Sequence, residues 1–359
     1  MKKSIFLFFV AVTLSLTAFS QGCIPIRSIN GLGQYNITNK TFSTATWQLN
    51  FTNRYFTSGR DFKEKVDQKT PVQNKILNET YTLDISVSRL LAKGWSVNMS
   101  IPITSNARTT SVEHGGLNTP RRTTHSFGAG DLRLTAYKWL RNPAQNQHWN
   151  MQLGLGIKFA TGDYNYQDYF YRNDTTRVLA AVNPGIQLGD GGTGIITELN
   201  TFYSFSNAIG LYANFYYLIN PREQNGTVYT AGRIPTPTQL KAGGVEISVP
   251  DVYSIRAGGY VKLGQFTFEG GIRDEGSPVE DLLGGSNGGR RAGYVLSVEP
   301  GIIYNTKSTS IYVYVPVTID RSIKQTIPDK KTTEITGVRT VGAGGSPDYQ
   351  LIFGISIQL

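Results

Sequence analysis

Apolar and polar residues alternate with a period of two along most of the chain. Every second residue from Leu351 to Leu359 is apolar. Gly354, Ser356 and Gln358 stand between these apolar positions. The segments 211–219 and 311–319 show the same alternation. Because successive side chains of a β-strand point to opposite faces, each segment is predicted to be a strand with one apolar and one polar face.

Segments of this kind recur about twelve times. Most are at least as long as the roughly 9–11 residues that a tilted strand needs to cross a bilayer. The predicted strands are 41–56, 78–92, 95–104, 125–140, 148–161, 187–206, 210–221, 252–262, 266–275, 291–304, 309–321 and 348–359.

Short and long gaps between these strands alternate strictly. The short gaps are 93–94, 141–147, 207–209, 263–265 and 305–308, and the long ones are 57–77, 105–124, 162–186, 222–251, 276–290 and 322–347. This asymmetry is typical of outer-membrane barrels, which have short periplasmic turns and long extracellular loops. Aromatic residues near the predicted strand ends fit the interface girdles of such barrels: Trp47, Tyr55, Phe56, Trp95, Trp139 and Trp149. The predicted fold is all-β, a transmembrane antiparallel up-and-down β-barrel of about 12 strands over residues 41–359, and the alternative is a soluble β-sandwich or a large secreted β-domain.

The first residues read as an export signal. Lys2 and Lys3 precede an apolar stretch, and Ala18-Phe19-Ser20 fits a small-x-small cleavage site, so residues 1–20 are predicted to be a signal peptide that is removed. Residues 21–40 are compatible with either a plug inside the barrel or a periplasmic tail. Cys23 is either a lipoprotein site or an unmodified thiol. Together these features predict the outer membrane of a Gram-negative bacterium as the location.

If the apolar positions of each strand face lipid, the alternate positions line the lumen. Charges at membrane depth are costly unless they are paired or hydrated, so they are expected to face inward. The predicted lumen residues are Arg54, Asp84, Asp131, Arg133, Tyr137, Lys158, Glu198, Tyr212, Tyr216, Arg256, Glu269, Arg273 and Glu299. They are interpreted either as a mixed-charge constriction that selects solutes or as a salt-bridge network that fills a narrow barrel.

Composition narrows the chemistry further. Charged residues make up only 17% of the chain, against roughly 25% in soluble domains. One cysteine and three histidines leave little for catalysis or metal binding, so no enzyme activity, cofactor or metal is predicted. A cluster at Asp163, Asn165, Asp168 and Asp174 has some spacing of a calcium loop but lacks its turn glycine. The Gly-rich run 189–194 lacks the lysine and following helix of a phosphate cradle and is interpreted as a flexible start of a strand.

The net charge of +10 is concentrated in part in the predicted outer loops. These basic residues suggest binding of lipopolysaccharide phosphates or anionic solutes, or simple solvated charge. They are Arg108, Arg121, Arg122, Arg290, Arg291, Lys324, Lys330, Lys331 and Arg339. Nucleic acid is excluded as a partner by the predicted export, and no protein partner is indicated.

Two segments resemble a known family. Phe127-Gly128-Ala129-Gly130-Asp131-Leu132-Arg133-Leu134 and the stretch from Gly154 to Tyr164, which contains Lys158-Phe159-Ala160-Thr161-Gly162-Asp163, are similar to a Gly-x-Gly-Asp strand and a Lys-x-Pro-Thr-Gly-Asp strand end. Both of these motifs are found in the outer-membrane family of the meta-pathway of phenol degradation, which is related to long-chain fatty-acid transporters. Ala160 replaces the proline often seen in that family. The resemblance implies uptake of small, often hydrophobic or aromatic molecules, with Asp131, Lys158 and Asp163 as lumen or rim residues.

Two functions follow as hypotheses. The first is an outer-membrane channel or transporter for passive uptake of a small solute, with the lipid bilayer and lipopolysaccharide as its surroundings. The second is a closed barrel that acts as a scaffold or adhesin through its extracellular loops.

Overall fold

The structure is a computed structural model that describes residues 47–142, 145–146 and 148–359. Its main element is a closed antiparallel barrel of 12 strands. In chain order these are β1 (Trp47–Ser58), β2 (Leu77–Leu90), β3 (Trp95–Thr110), β4 (Arg122–Ala129 and Arg133–Trp139), β5 (Trp149–Lys158), β6 (Gly194–Ser204), β7 (Ile209–Ile219), β8 (Val252–Leu263), β9 (Phe266–Ser277), β10 (Gly293–Asn305), β11 (Thr309–Tyr314 and Val317–Ile323) and β12 (Leu351–Gln358).

The barrel closes because β1 pairs with the strands on both of its sides. Phe51 lies opposite Ile85 of β2 and also opposite Ile355 of β12, and both pairings are antiparallel. Each remaining strand pairs with its neighbours in sequence, as in an up-and-down barrel. The predicted fold class is therefore confirmed.

Two of the strands are interrupted. In β4, Ile103 of β3 lies opposite Ala129 and Ser100 lies opposite Arg133, so β4 contains one extra residue relative to β3. A comparable register shift interrupts β11, where it pairs with β10. An extra residue in a strand reverses the facing of all later side chains. This is why Ser126 and Arg133 both face the lumen although one number is even and the other odd.

The two faces of the barrel wall differ in the way that the alternation predicts. Along β12, Ile352, Gly354 and Ser356 are buried on the inner face, while Leu351 and Phe353 lie on the outer face. Large apolar side chains cover the outer face of every strand from β3 to β10, where a bilayer would solvate them.

Tyrosine rings on the inner face lie flat over glycines of the next strand. An added Cβ at Gly154 would lie 2.6 Å from Cε1 of Tyr137, and one at Gly301 would lie 2.3 Å from Cδ1 of Tyr314. The pairs of Tyr312 with Gly354 and of Tyr260 with Gly210 have the same arrangement. Glycine leaves a groove in the wall that a ring can occupy.

The long connections are structured rather than irregular. They contain the short antiparallel pairs Gln167–Tyr171 with Arg177–Ala181 and Gln224–Val228 with Glu246–Ser248, and a small sheet of Asp61–Lys63, Val66–Asp67 and Gly344–Gly345. Two α-helices, α1 (Pro237–Ala242) and α2 (Ile327–Thr336), lie in contact with each other. Each begins with a threonine capping box, at Thr236 and Thr326, and ends at a left-handed glycine. Single 3₁₀ turns occur at Val72–Asn74, Ala92–Gly94 and Pro184–Ile186.

Among the described residues, no helix is both long enough and apolar enough to cross a bilayer.

Several predicted strand bounds were wrong. The strand predicted over 187–206 begins only at Gly194, because the glycines before it pack into the loop that follows β5. The strand predicted to end at residue 104 continues to Thr110, since its outer end pairs with the first segment of β4. The signal peptide, the segment 21–40 with Cys23, and residues 41–46 of the first predicted strand lie outside the described residues.

Candidate functional site: a vestibule above a filled lumen

The end of the barrel with the long loops holds a large cavity. Its volume is about 540 Å³, and it extends from the loops down into the barrel. The upper lining comes from residues 229–250 and 326–342, and the floor includes Arg54, Arg133 and Tyr216 on the inner face of the wall. We call this space the vestibule.

Apolar side chains and cations share the vestibule lining. Phe56, Leu188, Leu218, Ile247 and Val252 supply apolar surface. On the floor, Arg133 donates from Nη2 to Oδ2 of Asp84 at 2.7 Å, and the Arg54 guanidinium lies 5.3 Å from the centroid of the Phe56 ring. The space therefore suits a small molecule with an apolar body.

Lys158 and Asp131, the motif residues of the family resemblance, form a latch at the rim. Lys158 Nζ lies 3.2 Å from Asp131 Oδ2, forms a second ion pair with Asp190, and donates to the carbonyl of Gly192 at 2.7 Å. Asp131 also accepts from the Gly162 amide at 3.0 Å. We use the name rim latch for Asp131, Lys158, Gly162, Asp190 and Gly192.

The rim latch explains why β4 is interrupted at its position. At the interruption, the Leu132 amide donates to Thr161 Oγ1 at 2.8 Å instead of to a neighbouring strand. Gly162 and Gly189 approach so closely that a Cβ on Gly189 would lie 2.4 Å from the Gly162 carbonyl oxygen. The Gly-rich run 189–194 is therefore packed against this latch, and it leads into β6 at Gly194, as its interpretation as the start of a strand predicts.

A second set of ion pairs runs along the inner face of the neighbouring strands β8, β9 and β10. Arg256 donates from Nε to Glu299 Oε1 at 2.6 Å, and Arg273 donates from Nη1 to Glu299 Oε2 at 3.1 Å. Arg273 also pairs with Glu275, which accepts from Gln350 at 3.2 Å. All four ionised groups of this bridge are buried.

A row of amides continues the bridge around the wall. Arg256 donates to Asn214 Oδ1 at 3.2 Å, Asn214 donates to Asn200 at 2.8 Å, and Asn200 donates to Gln152 at 3.1 Å. The row and the bridge, with the inward rings, fill the lower lumen of the described barrel. We call this region the filled half.

The structure places all thirteen predicted lumen residues on the inner face or at the rim. It brings Arg133 together with Asp84, Lys158 with Asp131, and Arg256 and Arg273 with Glu299. Tyr137 forms a hydrogen bond with Glu198, and the Tyr314 hydroxyl donates to the Glu269 carboxylate at 2.8 Å. The Arg256 guanidinium lies over the Tyr212 ring. Tyr216 lines the vestibule floor. Their role as a solute path stays a prediction.

Sequence reasoning missed several members of this arrangement. Glu275, Asn200, Asn214 and Gln152 have the inward parity of their strands, so the alternation contained enough information to find them. Asp190 lies in a loop, where no periodicity marks it, and only its contact with Lys158 shows its role.

A polar cluster joins the loops over the vestibule. Glu113 accepts from Arg108 Nη2 at 2.6 Å and from Asn183 at 3.2 Å, and the Tyr229 hydroxyl bonds both Glu113 and Asn183. Burial would raise the pKa of Glu113, but the Arg108 guanidinium outweighs it and holds that pKa below its usual value. Arg233 donates to the carbonyls of Val112 and His114 at 2.6 and 3.0 Å.

Some predicted loop cations are already engaged within the protein. Arg108 and Arg290 form buried pairs with Glu113 and Asp281, so their charge is compensated. Arg122 forms an ion pair with Asp174 at 2.5 Å, so one carboxylate of the cluster with calcium-loop spacing is already paired with a cation. Asp168, another member, accepts from the His125 amide at 2.7 Å. No group of three or more potential metal ligands occurs among the residues that the structure covers.

No family model matches the chain, and no curated protein matches it. Among solved structures, an outer-membrane channel from Pseudomonas putida F1 is similar over 89% of this chain and 98% of that chain, with a TM-score of 0.60 and 9% identity. The chain has the fold of an outer-membrane channel. A FadL homologue from Pseudomonas aeruginosa (TM-score 0.40, 10% identity, 96% and 98% covered) and the toluene transporter TbuX from Ralstonia pickettii (0.39, 10%, 90% and 92%) are more distant. The expected resemblance to outer-membrane channels is confirmed at the level of the fold.

Proposed function

We propose that this protein is a passive channel of a Gram-negative outer membrane that admits a small solute through the vestibule. In this proposal the long loops face outward, the chain reaches the membrane after removal of its signal peptide, and the outer face contacts lipid and lipopolysaccharide. The vestibule carries the proposal, because it leads from the loops to Arg54 and Arg133 inside the wall.

The lining of the vestibule favours small hydrophobic or aromatic solutes. Its volume of about 540 Å³ lies within the roughly 300–1,000 Å³ of small-molecule sites. Five large apolar side chains line it, and the guanidinium groups on its floor offer donors to a polar substituent. The inward charges, among them Arg133, Lys158 and Glu198, then act as the selective constriction that the sequence predicts.

A second candidate is a closed barrel that works through its loops as a scaffold or adhesin. The filled half favours it, because Arg273 and Glu299 are fully buried and form an ion pair inside the barrel. The ordered hairpins and helices over the vestibule would supply the binding surface.

Single-channel conductance in a planar bilayer tests the first candidate. The wild type is expected to give discrete steps, and neutralisation of Arg133, Lys158 and Glu198 to glutamine is expected to change the size or ion selectivity of those steps. Glu79, Arg89 and Lys138 on the outer face, neutralised in the same way, provide a matched control with unchanged steps.

Equal conductance of the wild type and the inward triple variant would reject the constriction. Silence from a heat-modifiable, folded wild type, together with absent uptake of aromatic and fatty solutes, would reject the channel. Loss of surface binding after shortening of loops 222–251 or 322–347 would then support the scaffold.

A further inference from the structure

Three cations at the short-turn end of the barrel each lie over a tryptophan ring of the outer face. Measured from the ring centroid to the guanidinium carbon or ammonium nitrogen, the pairs are Trp47 with Arg89 (4.7 Å), Trp95 with Lys138 (5.3 Å) and Trp149 with Arg141 (3.8 Å). The three rings are 46, 48 and 36% exposed, in that order. Because the face of an aromatic ring attracts a cation, each pair holds its positive charge at the outer surface of the barrel.

The three pairs form one continuous arc along the neighbouring strands β1 to β5. Trp47 of β1 lies opposite Arg89 of β2, and Trp95 of β3 lies opposite Lys138 of β4. Lys138 also donates to the carbonyl of Lys93 in the β2–β3 turn, which adds a fourth cation. We call this surface the basic arc, and its members are Trp47, Arg89, Lys93, Trp95, Lys138, Arg141 and Trp149.

No acidic side chain balances the basic arc. The chain has 25 Asp and Glu residues, and none of them lies in a short turn or in the strand ends beside it. The segments without an acidic residue are 85–112, 132–162, 200–222, 257–268, 300–319 and 349–359. Accordingly, no ion pair of the described residues includes a cation of the basic arc.

Cations and rings are arranged differently elsewhere on the barrel. At the long-loop end, Lys65 forms an ion pair with Asp320 at 2.6 Å, so its charge is compensated within the protein. At the short-turn end of β9 and β10, the aromatic rings pack on one another, as Phe266 does on Tyr304 with centroids 5.1 Å apart. The basic arc thus combines exposed rings with cations whose charge no carboxylate compensates.

Tryptophan rings on the outer face of a membrane barrel lie at the boundary between hydrocarbon and headgroups. The anionic group at that depth is the phosphate of a phospholipid, to which arginine and lysine donate charge-assisted hydrogen bonds. We propose that the basic arc binds the headgroups of an anionic phospholipid, such as phosphatidylglycerol, in the leaflet nearest the short turns. This inference goes beyond the proposed function, from which it takes only the placement of the barrel in a membrane.

Quenching of tryptophan fluorescence by brominated lipid tests the basic arc. Three of the four tryptophans belong to the arc and the fourth, Trp139, is buried, so the quenching reports which lipid lies beside this surface. The refolded protein is placed in phosphatidylcholine vesicles that contain the same small fraction of brominated phosphatidylglycerol or brominated phosphatidylcholine, at low salt to limit screening. For the wild type, we expect the phosphatidylglycerol to bind at least about fivefold more tightly, which is the effect of one basic residue at an anionic surface.

Glutamine in place of Arg89, Lys138 and Arg141 removes three cations of the arc and keeps the reporter rings. We expect this triple variant to lose most of the preference for phosphatidylglycerol. The control variant loses the same charge through glutamine at three exposed lysines of the long-loop end, which are Lys63, Lys241 and Lys324. The control is expected to keep the preference, and heat-modifiable migration shows that both variants fold.

Three results would overturn the proposal. They are equal quenching of the wild type by the two brominated lipids, a preference that the arc variant retains, and a preference that the control variant loses. The test is independent of the proposed function, because the arc lies on the outer face of the barrel. A lipid preference without conductance would support the arc and reject the channel, whereas conductance steps without a lipid preference would reject the arc alone.

Discussion

Replacing Lys158 by methionine tests whether the motif residues at the rim are structural. Lys158 forms ion pairs with both Asp131 and Asp190, and the three side chains are 5, 6 and 14% exposed. Removing one partner of a buried ion pair costs about 3–5 kcal/mol, because it leaves an uncompensated buried charge. The Gly162 and Asp190 amides still donate to Asp131 and offset part of this cost, so we expect a loss near the lower limit, about 3 kcal/mol.

The assay is urea-induced unfolding of the refolded barrel in detergent micelles, followed by tryptophan fluorescence. Lys307→Met, in an exposed turn, is the control, and we expect it to change the free energy of unfolding by no more than about 0.5 kcal/mol. Asp190→Asn combined with Lys158→Met should restore part of the loss, since it removes one of the two uncompensated carboxylates. If Lys158→Met were as stable as Lys307→Met, the rim latch would not hold the loop, and the motif lysine would be better explained by contact with the solute.

Two further predictions concern packing and pH. In the same unfolding assay, Gly154→Ala should destabilise the barrel by about 1–3 kcal/mol, because the new Cβ would lie 2.6 Å from the Tyr137 ring. Gly270→Ala is the control and should be nearly neutral, because a Cβ there has no neighbouring atom within 4 Å. Burial raises the pKa of Asp61, in the loop after β1, to about 6, so the folded protein holds this proton more tightly than the unfolded chain. The stabilisation is therefore complete below pH 4 and is lost as the pH rises to about 6. The amides of residues 59–76 should be more strongly protected from hydrogen exchange, relative to the intrinsic rate, at pH 5 than at pH 7. Asp61→Asn should abolish this difference.

The alternation of apolar and polar side chains along the sequence predicts most of the barrel. Lumen facing is a local property of a strand, so Arg256, Glu269 and Glu299 could be placed on the inner face from parity alone. Parity also extends to Glu275, which stands two residues beyond Arg273 and completes the bridge with it.

Parity does not contain the interruptions of β4 and β11. An extra residue is visible only against the partner strand, where Ser100 and Ile103 of β3 take positions opposite Arg133 and Ala129. The rim latch is equally non-local, because Asp190 reaches Lys158 from a loop 32 residues further along the chain. The sequence therefore predicts which residues face the lumen but not which of them pair.

The pairing decides how the side chains are arranged in a lumen of this width. Eight-stranded barrels are filled by side chains and barrels of 16–18 strands hold a wide channel, so twelve strands leave a lumen whose bore depends on what stands in it. Here Tyr137, Tyr312 and Tyr314 pack against glycines of the neighbouring strands. The bridge of Arg256, Arg273 and Glu299 consists of long side chains that are held by hydrogen bonds and, at Arg256, by the rings of Tyr212 and Tyr314. In the proposed channel, opening the bridge requires rotamer changes that separate Glu299 from both guanidinium groups, and a solute with its own hydrogen-bond acceptor offsets part of the about 3–5 kcal/mol that an uncompensated buried charge costs.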